Sequence, residues 1–147
     1  MFPISISLTD KNFSLQKLKF AQQEAKDRKS RETLVYMTPK QFLEVASQRF
    51  TPDQEKLDTI RGVLNSNRSL SDIPYLKTEH VKGFDFKVIG HEGRHRAIVL
   101  NTVNSSYKMP VRIIDASVRW IEDELGGQVI TLYAQETNSR KISIKLP

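Results

Sequence analysis

The chain has 147 residues, of which 38% are hydrophobic and 27% are charged, a balance typical of a folded globular protein. The absence of cysteine excludes disulfide scaffolds, thiol catalysis and cysteine-ligated zinc. The formal net charge of +6 favours acidic partners such as nucleotides and nucleic acids. The apolar runs are too short to span a bilayer and no cleavable leader is recognisable, so we expect a single cytosolic domain over residues 1–147, without a membrane partner.

The N-terminal residues predict a short strand followed by a basic helix. Apolar residues alternate with serine over residues 4–8, which favours a strand. Thr9 or Asp10 is then a suitable N-cap for a helix whose apolar residues become sparse in a charged run that ends near Arg31. The apolar positions of this helix are Phe13, Leu15 and Leu18, with Ala21 and Ala25 as further candidates.

Two threonine-proline pairs predict the next two helices. Residues 33–37 are rich in β-forming side chains and end at the first pair, residues 38–39, in which threonine is the N-cap and proline the first helical residue. That helix is expected to run to about residue 48. The second pair, residues 51–52, precedes a helix over residues 53–65, whose apolar residues recur at three- and four-residue spacing.

The middle of the chain predicts three strands and one helix. Residues 73–78 favour an edge strand, because Pro74 lacks the N–H group that a central strand would use. Residues 84–89 alternate apolar and polar side chains and predict a second strand. A short helix is expected to begin after the basic turn and to end near Asn104, followed by a strand at residues 110–114.

The C-terminal residues predict a short helix and a closing hairpin. Asp115 is the N-cap candidate for a helix that ends at Gly126 and Gly127. Residues 128–133 and 141–146 flank a polar turn and predict two paired strands. Together these elements predict an α+β fold in which helices flank a small mixed sheet.

The junction between the 84–89 strand and the next helix places three consecutive basic residues where the helix begins. A helix N-terminus already carries about half a positive charge, so basic residues there oppose the helix dipole unless an anion neutralises them. Gly90 and Gly93 are expected to break the strand and free backbone N–H groups for that anion. The predicted phosphate- or nucleotide-binding residues are Gly90, His91, Gly93, Arg94, His95 and Arg96.

Several of these residues also have a purely structural explanation. Arg96 and His95 are either phosphate ligands or internal partners of Glu92, and Arg94 is either a ligand or ordinary surface charge. Glu92 has three possible roles: positioning an arginine, coordinating Mg²⁺ between phosphates, or acting as the catalytic general base. The ligand interpretation is favoured, because one carboxylate cannot neutralise two arginines and a helix N-terminus together.

Residues 33–115 resemble the ParB/sulfiredoxin-like superfamily in the order of their predicted elements. The distinctive motif of that superfamily is an acidic residue, a glycine, any residue, a histidine and an arginine at the opening of a helix. Glu92, Gly93, His95 and Arg96 match it. The resemblance implies a ParB/sulfiredoxin-like core whose basic turn binds the phosphates of ATP or CTP, with Mg²⁺ as the accompanying ion.

The same resemblance divides the chain into a core and two flanking parts. Residues 1–32 would form the N-terminal strand and basic helix, and residues 116–147 a C-terminal extension with the added hairpin. Arg94 stands where sulfiredoxin needs cysteine, so its sulfur chemistry is not carried over. No helix-turn-helix of the partition-protein kind is predicted after residue 115. The chain is therefore most similar to the stand-alone members of phages and plasmids, some described as nucleases or ATPases.

Two classes of function follow. The first is a Mg²⁺-dependent NTPase, phosphotransferase or nuclease in which Glu92 is catalytic. The second is a non-catalytic module that binds DNA or a host protein through residues 10–32, which carry seven basic and four acidic residues. A solvated helix face explains that charge equally well. The candidate nucleic-acid-binding residues are Lys17, Lys19, Lys26, Arg28 and Lys29.

Overall fold

The computed structural model describes residues 12–27, 31–47, 51–115 and 129–146. Within these residues the chain forms four helices and one six-stranded sheet, which confirms the predicted α+β class. The elements in chain order are α1 (Leu15–Lys26), β1 (Glu32–Met37), α2 (Pro39–Val45), α3 (Gln54–Asn65), β2 (Tyr75–Lys82), β3 (Asp85–Glu92), α4 (Arg94–Val103), β4 (Met109–Asp115), β5 (Val129–Tyr133) and β6 (Lys141–Lys145).

The sheet is mixed, as predicted, with the strand order β1-β4-β2-β3-β5-β6. Three neighbouring pairs are antiparallel: β1 with β4, β2 with β3, and β5 with β6. The other two pairs, β2 with β4 and β3 with β5, are parallel. The predicted C-terminal hairpin is confirmed, and it extends the sheet beside β3. The strand predicted at residues 4–8 and the helix predicted after Asp115 lie outside the described residues.

The prediction of an edge strand at residues 73–78 is wrong. β2 lies in the interior of the sheet, hydrogen-bonded to β4 on one side and β3 on the other. Pro74 immediately precedes the strand, so the ladder does not require the N–H group that proline lacks. Its carbonyl still contributes, because it accepts a hydrogen bond from the backbone N–H of Arg112 at 2.9 Å. Proline therefore marks the start of this central strand.

The first helix begins later than the sequence predicted. Its N-cap is Ser14, whose hydroxyl accepts a hydrogen bond from the N–H of Lys17 at 3.4 Å, and not Thr9 or Asp10. The helix ends at Lys26. Serine is as good an N-cap as threonine or aspartate, so local sequence did not distinguish the three positions.

A tertiary contact explains this later start. Phe13 forms a parallel β-bridge with Leu70, and the N–H of Ser14 donates to the carbonyl of Leu70 at 2.8 Å. This pairing keeps the backbone before Leu15 extended and buries Phe13 completely. Leu18 is 4% exposed but Leu15 is 63% exposed, so the apolar positions of this helix are not all buried.

α2 begins as predicted, whereas α3 begins one residue later than predicted and is capped by Asp53 and not by Thr51. Thr38 and Gln41 form a capping box at α2, in which the Thr38 hydroxyl accepts from the Gln41 N–H at 3.1 Å and the Gln41 side chain accepts from the Thr38 N–H at 3.0 Å. The Asp53 carboxylate caps α3 by accepting from the N–H groups of Glu55 and Lys56. These caps fix where both helices start.

The buried apolar side chains form one cluster, and most of its strand residues lie on one face of the sheet. Residues paired across strands point to the same face, and the pairs Val35 with Val111 and Leu132 with Ile142 are buried on it. Phe42 of α2 is also fully buried in this cluster. α4 packs against both α2 and α3, which brings the N-terminal ends of α3 and α4 together.

Within the described residues, no helix has the length and apolar character needed to cross a membrane.

The start of α1 can be tested by a matched pair of substitutions. We expect Leu18→Ala to lower the free energy of unfolding by about 2–4 kcal/mol, because it removes a buried side chain. Leu15→Ala should change it by less than about 0.5 kcal/mol, because the side chain is exposed. Urea denaturation of both variants measures the difference. Equal destabilisation by the two substitutions would contradict the assigned start.

Candidate functional site at the α3–α4 cleft

An open cleft of about 660 Å³ lies between α3, the loop that precedes β2, and the junction of β3 with α4. This volume is within the range of small-molecule binding sites. One wall is apolar and is formed by Ile60, Val63 and Leu70. The opposite side carries the ion-forming residues of the β3–α4 junction, so the cleft combines an apolar wall with a polar end.

Gly93 forms the junction between β3 and α4. Its φ of +116° lies in the left-handed region, which is costly for any residue with a side chain. A Cβ atom at this position would lie 2.6 Å from the Cβ of Pro74 and 3.1 Å from Nη2 of Arg96. Both the backbone conformation and the space therefore require glycine. The predicted turn at Gly93 is present, and its glycine allows β3 to pass directly into a helix.

The N-terminus of α4 has no side-chain cap. Gly93 is the N-cap residue, no side chain accepts a hydrogen bond from the first turn, and that turn contains no acidic residue. The first turn instead consists of Arg94, His95 and Arg96. The partial positive charge of the helix end is thus combined with two arginine charges, an arrangement that stabilises an anion.

Arg96 is the most buried charged residue of the cleft, with a side chain that is 10% exposed. Its Nη2 atom forms an ion pair with Oε2 of Glu92, four residues earlier, whose side chain is 47% exposed. The internal pair that the sequence left open is therefore present. Nε of Arg96 is buried without a hydrogen-bond partner among the described residues. An unsatisfied buried donor costs about 1–3 kcal/mol, so Arg96 retains hydrogen-bonding capacity.

His95 connects the N-terminal ends of α3 and α4. Its Nε2 atom accepts a hydrogen bond from the backbone N–H of Asp53 at 3.0 Å. Burial lowers the pKa of His95 below its ordinary value, and the positive charges of Lys56 and Arg94 lower it further, against an opposing effect of Asp53. The imidazole is therefore neutral at pH 7, with its proton on Nδ1. Only Nδ1–H remains available to donate to a bound anion.

Gly90 and His91 lie outside the cleft. β3 continues to Glu92, three residues beyond its predicted end, and Gly90 pairs with Lys77 in the ladder between β3 and β2. The expectation that Gly90 breaks the strand is therefore wrong. His91 hydrogen-bonds through Nδ1 to Oε1 of Gln135 at 3.0 Å. Strand alternation separates His91 from Glu92, because adjacent residues of β3 point to opposite faces of the sheet.

Of the predicted phosphate-site residues, the cleft brings together Gly93, His95 and Arg96, with Glu92 beside them. Arg94 belongs to the same helical turn but does not line the cleft. Its charge reaches the site only through space, as the lowered pKa of His95 shows.

Sequence reasoning missed the residues that α3 contributes. The exposed Lys56 and the hydroxyl of Thr59 line the cleft, as does Asp53 at the α3 N-cap. Two further hydroxyls, of Ser69 and Ser71, come from the loop before β2. The N-cap signal of Asp53 was recognisable, but nothing local indicated that α3 and α4 would meet.

The basic residues of α1 form a separate region. Lys17, Lys19 and Lys26 are exposed on this helix, and none of them lines the cleft. Arg28 and Lys29 lie outside the described residues. The two binding regions predicted from the sequence are thus different surfaces of the protein.

No group of three or more histidine, aspartate or glutamate side chains is placed to hold a metal ion in the parts of the chain that the structure describes. Glu92, the predicted Mg²⁺ ligand, is paired with Arg96. Mg²⁺ usually keeps several waters and reaches nucleotide sites through one or two carboxylates and the phosphates themselves, so a single carboxylate here is compatible with an ion that arrives on a nucleotide.

Comparisons of the chain with protein-family models, with characterised proteins and with solved structures find no match.

The requirement for glycine at the junction can be tested against a second glycine. We expect Gly93→Ala to lower the free energy of unfolding by more than about 2 kcal/mol, because it combines a left-handed φ with a clash against Pro74. Gly62→Ala, inside α3 and with no atom within 4 Å of the added Cβ, should raise it by about 0.5–1 kcal/mol. Thermal and urea unfolding of both variants provide the measurement, and a neutral Gly93→Ala would be inconsistent with the junction described.

The link between His95 and Asp53 predicts a pH dependence. The unfolded imidazole takes up a proton near pH 6.5, whereas the folded one does so only at lower pH, so the stabilisation is complete above pH 6.5 and is lost as the pH falls. His95→Gln retains an acceptor for the Asp53 N–H but does not titrate. We therefore expect the wild type to lose more stability than His95→Gln between pH 7 and pH 5. Parallel pH profiles of the two proteins would refute this assignment.

Proposed function

We propose that the α3–α4 cleft binds a phosphate-bearing ligand, a nucleotide of the ATP or CTP kind together with Mg²⁺. The observation that carries the proposal is the uncapped N-terminus of α4, which opens beside a nearly buried arginine and has no acidic residue in its first turn. An anion at a helix N-terminus is stabilised by up to about 2 kcal/mol in partly buried geometries. The cleft is large enough to hold the rest of a nucleotide beside that end.

In this proposal the phosphates lie at the α4 N-terminus. Arg96 offers its guanidinium, including the Nε donor that has no partner among the described residues, and His95 offers Nδ1–H. Lys56 lies exposed at the edge of the cleft and adds a second positive charge. Charge-assisted hydrogen bonds of this kind are shorter and stronger than neutral ones.

The rest of the cleft suits the nucleoside. The apolar wall of Ile60, Val63 and Leu70 offers a surface for a base, and the nearby hydroxyls of Thr59 and Ser71 offer partners for the sugar and the base edge. An isolated inorganic phosphate would leave this wall unused. A ligand that combines an aromatic base with phosphates therefore fits the cleft better than phosphate alone.

Glu92 acts in this proposal mainly by positioning Arg96. The ion pair holds the guanidinium next to the helix end and compensates its charge when no ligand is present. Catalysis as a Mg²⁺-dependent NTPase, phosphotransferase or nuclease would require Glu92 to exchange Arg96 for the metal or for the attacking group. The proposal of nucleotide binding does not depend on that exchange.

The resemblance to the ParB/sulfiredoxin-like superfamily supports the same ligand class. The motif residues Glu92, Gly93, His95 and Arg96 all lie at the lining of one cleft, where a strand passes into a helix. Membership of that superfamily remains a prediction from the motif and the order of the elements.

Nucleotide binding can be tested by thermal unfolding. ATP or CTP with Mg²⁺ at about 100 times its Kd should stabilise the wild type by about 2.7 kcal/mol, which corresponds to a rise in Tm of several degrees. Arg96→Lys keeps the charge but loses the guanidinium, and Lys56→Ala removes the exposed charge, so each should weaken binding about tenfold.

Lys40→Ala is the matched control, because Lys40 is equally exposed but lies outside the cleft. It should bind nucleotide as the wild type does. An unchanged Tm across a panel of nucleotides, with and without Mg²⁺, would refute the proposal. Stabilisation that Lys40→Ala reduces as much as Lys56→Ala would place the ligand elsewhere.

A further inference from the structure

The sheet has a second face that contributes little to the apolar core, although Leu34 of β1, which pairs with Arg112, is buried on it. Residues paired across strands share a face, and the pairings place Glu79, Lys87, Tyr133 and Lys141 in one row across β2, β3, β5 and β6. The residues next to them in each strand, such as Val88 and Leu132, are buried on the opposite face. The face with this row is therefore the outer face of the sheet.

A second aromatic and basic group lies on the same outer face. Arg112 of β4 pairs with Tyr75 of β2, and its guanidinium carbon lies 5.2 Å from the centre of the tyrosine ring. In the first row, Nζ of Lys141 lies 5.8 Å from the ring centre of Tyr133. Each tyrosine ring thus has a cation over one of its two faces, which leaves the other face for stacking.

Lys77 connects these two groups. It follows Tyr75 by two residues on β2, so its exposed side chain points to the same face, in the direction of Lys87. We name this surface the tyrosine–lysine strip. Its residues are Tyr75, Lys77, Lys87, Arg112, Tyr133 and Lys141.

The outer face carries most of the chain's tyrosines and more basic than acidic residues. The chain has four tyrosines, and three of them lie here: Tyr75, Tyr133 and the 40% exposed Tyr36 of β1. The fourth, Tyr107, is 8% exposed in the core. Basic residues outnumber acidic ones on this face. The basic residues are Lys77, Lys82, Lys87, Arg112, Lys141 and Lys145, and the acidic residues are Glu32, Glu79, Asp85 and Glu92.

We propose that the tyrosine–lysine strip binds single-stranded nucleic acid, with bases stacked on Tyr75 and Tyr133 and phosphates held by Lys77 and Lys141. Arg112 is ion-paired with Glu32, and Nζ of Lys87 donates to the Ala134 carbonyl and to Oδ1 of Asn138, so these two side chains contribute positive charge to the strip. Tyrosine rings stack on bases of any sequence, and interleaved lysines attract the backbone phosphates. A base is available for stacking only where it is not paired, which favours a single strand over a duplex.

The spacing of the two tyrosines makes this site different from the cleft. Tyr75 and Tyr133 are separated by two strand spacings and by several residues along the strands, a distance on the order of 20 Å. A mononucleotide cannot contact both rings, whereas a strand of several nucleotides can. The strip therefore binds a polymer, and this inference does not rest on nucleotide binding at α4.

The proposal is tested by fluorescence anisotropy of labelled 12-nucleotide oligouridine and oligothymidine at low salt. Both should bind, with an affinity that falls as salt is added, by a log–log slope of about −0.7 for each phosphate contacted. Tyr133→Ala and Tyr75→Ala should each weaken binding about tenfold. Phe20→Ala removes an exposed aromatic side chain from α1 and should have no effect. A preference between the two oligonucleotides identifies RNA or DNA as the source of the strand.

Charge provides a second test that does not remove packed side chains. Ser143 is exposed on β6 and pairs with Thr131 on the outer face, so Ser143→Glu should weaken oligonucleotide binding several-fold by repulsion. Gln22→Glu adds the same charge to the exposed side of α1 and should leave binding unchanged. This pair also separates the strip from the basic residues of α1.

Three results would overturn the proposal. The first is no oligonucleotide binding by the folded wild type at low salt, and the second is equal or tighter binding of a matched duplex or of an acidic peptide. The third is binding that Gln22→Glu or Phe20→Ala weakens as much as the variants of the strip do. Circular dichroism melts confirm that each variant is folded. Arg96→Lys should bind oligonucleotide normally, so a failure at the strip and a failure at the cleft remain distinguishable.

Discussion

The contact between Gly93 and Pro74 is the constraint on which the cleft depends. Because Gly93 has no side chain and adopts a left-handed φ, β3 passes directly into α4 while lying against the residue that precedes β2. Proline has a fixed φ and gives that surface a rigid shape. The direction of α4, and hence of its uncapped N-terminus, follows from this contact. A longer connection would separate Glu92 from Arg96 and the helix end from α3.

Two side chains, Glu92 and His95, limit the positive charge at the β3–α4 junction. Glu92 compensates Arg96, and the neutral His95 adds no further charge where its helix begins. If His95 were protonated, the first turn of α4 would carry three cations close to the Lys56 ammonium. Burial and nearby positive charge keep His95 unprotonated, and the same deprotonated nitrogen receives the Asp53 N–H. One side chain therefore limits electrostatic repulsion and also joins two helices.

The sequence was sufficient where a local signal decides the outcome. Thr38 is an N-cap as expected, α3 begins within one residue of its predicted start, and the glycine before the basic residues begins α4. Prediction from the sequence failed where a contact with a distant part of the chain decides the local structure. Leu70 draws Phe13 into a bridge and delays α1, and Pro74 precedes an interior strand because β4 and β3 pair on either side of it. Most of the residues that line the cleft come from α3, its N-cap and the loop after it, which no pattern near residue 93 could indicate.

The parallel pairing of β3 with β5 has a consequence for synthesis on the ribosome. Residues 85–87 of β3 pair with residues 131–133 of β5, so nearly fifty residues must be translated before that edge is covered. Until then the nascent sheet presents unpaired backbone groups that can join with another chain. Premature termination before β5 would leave a species prone to aggregate, which makes the closing hairpin a protective element for the growing polypeptide.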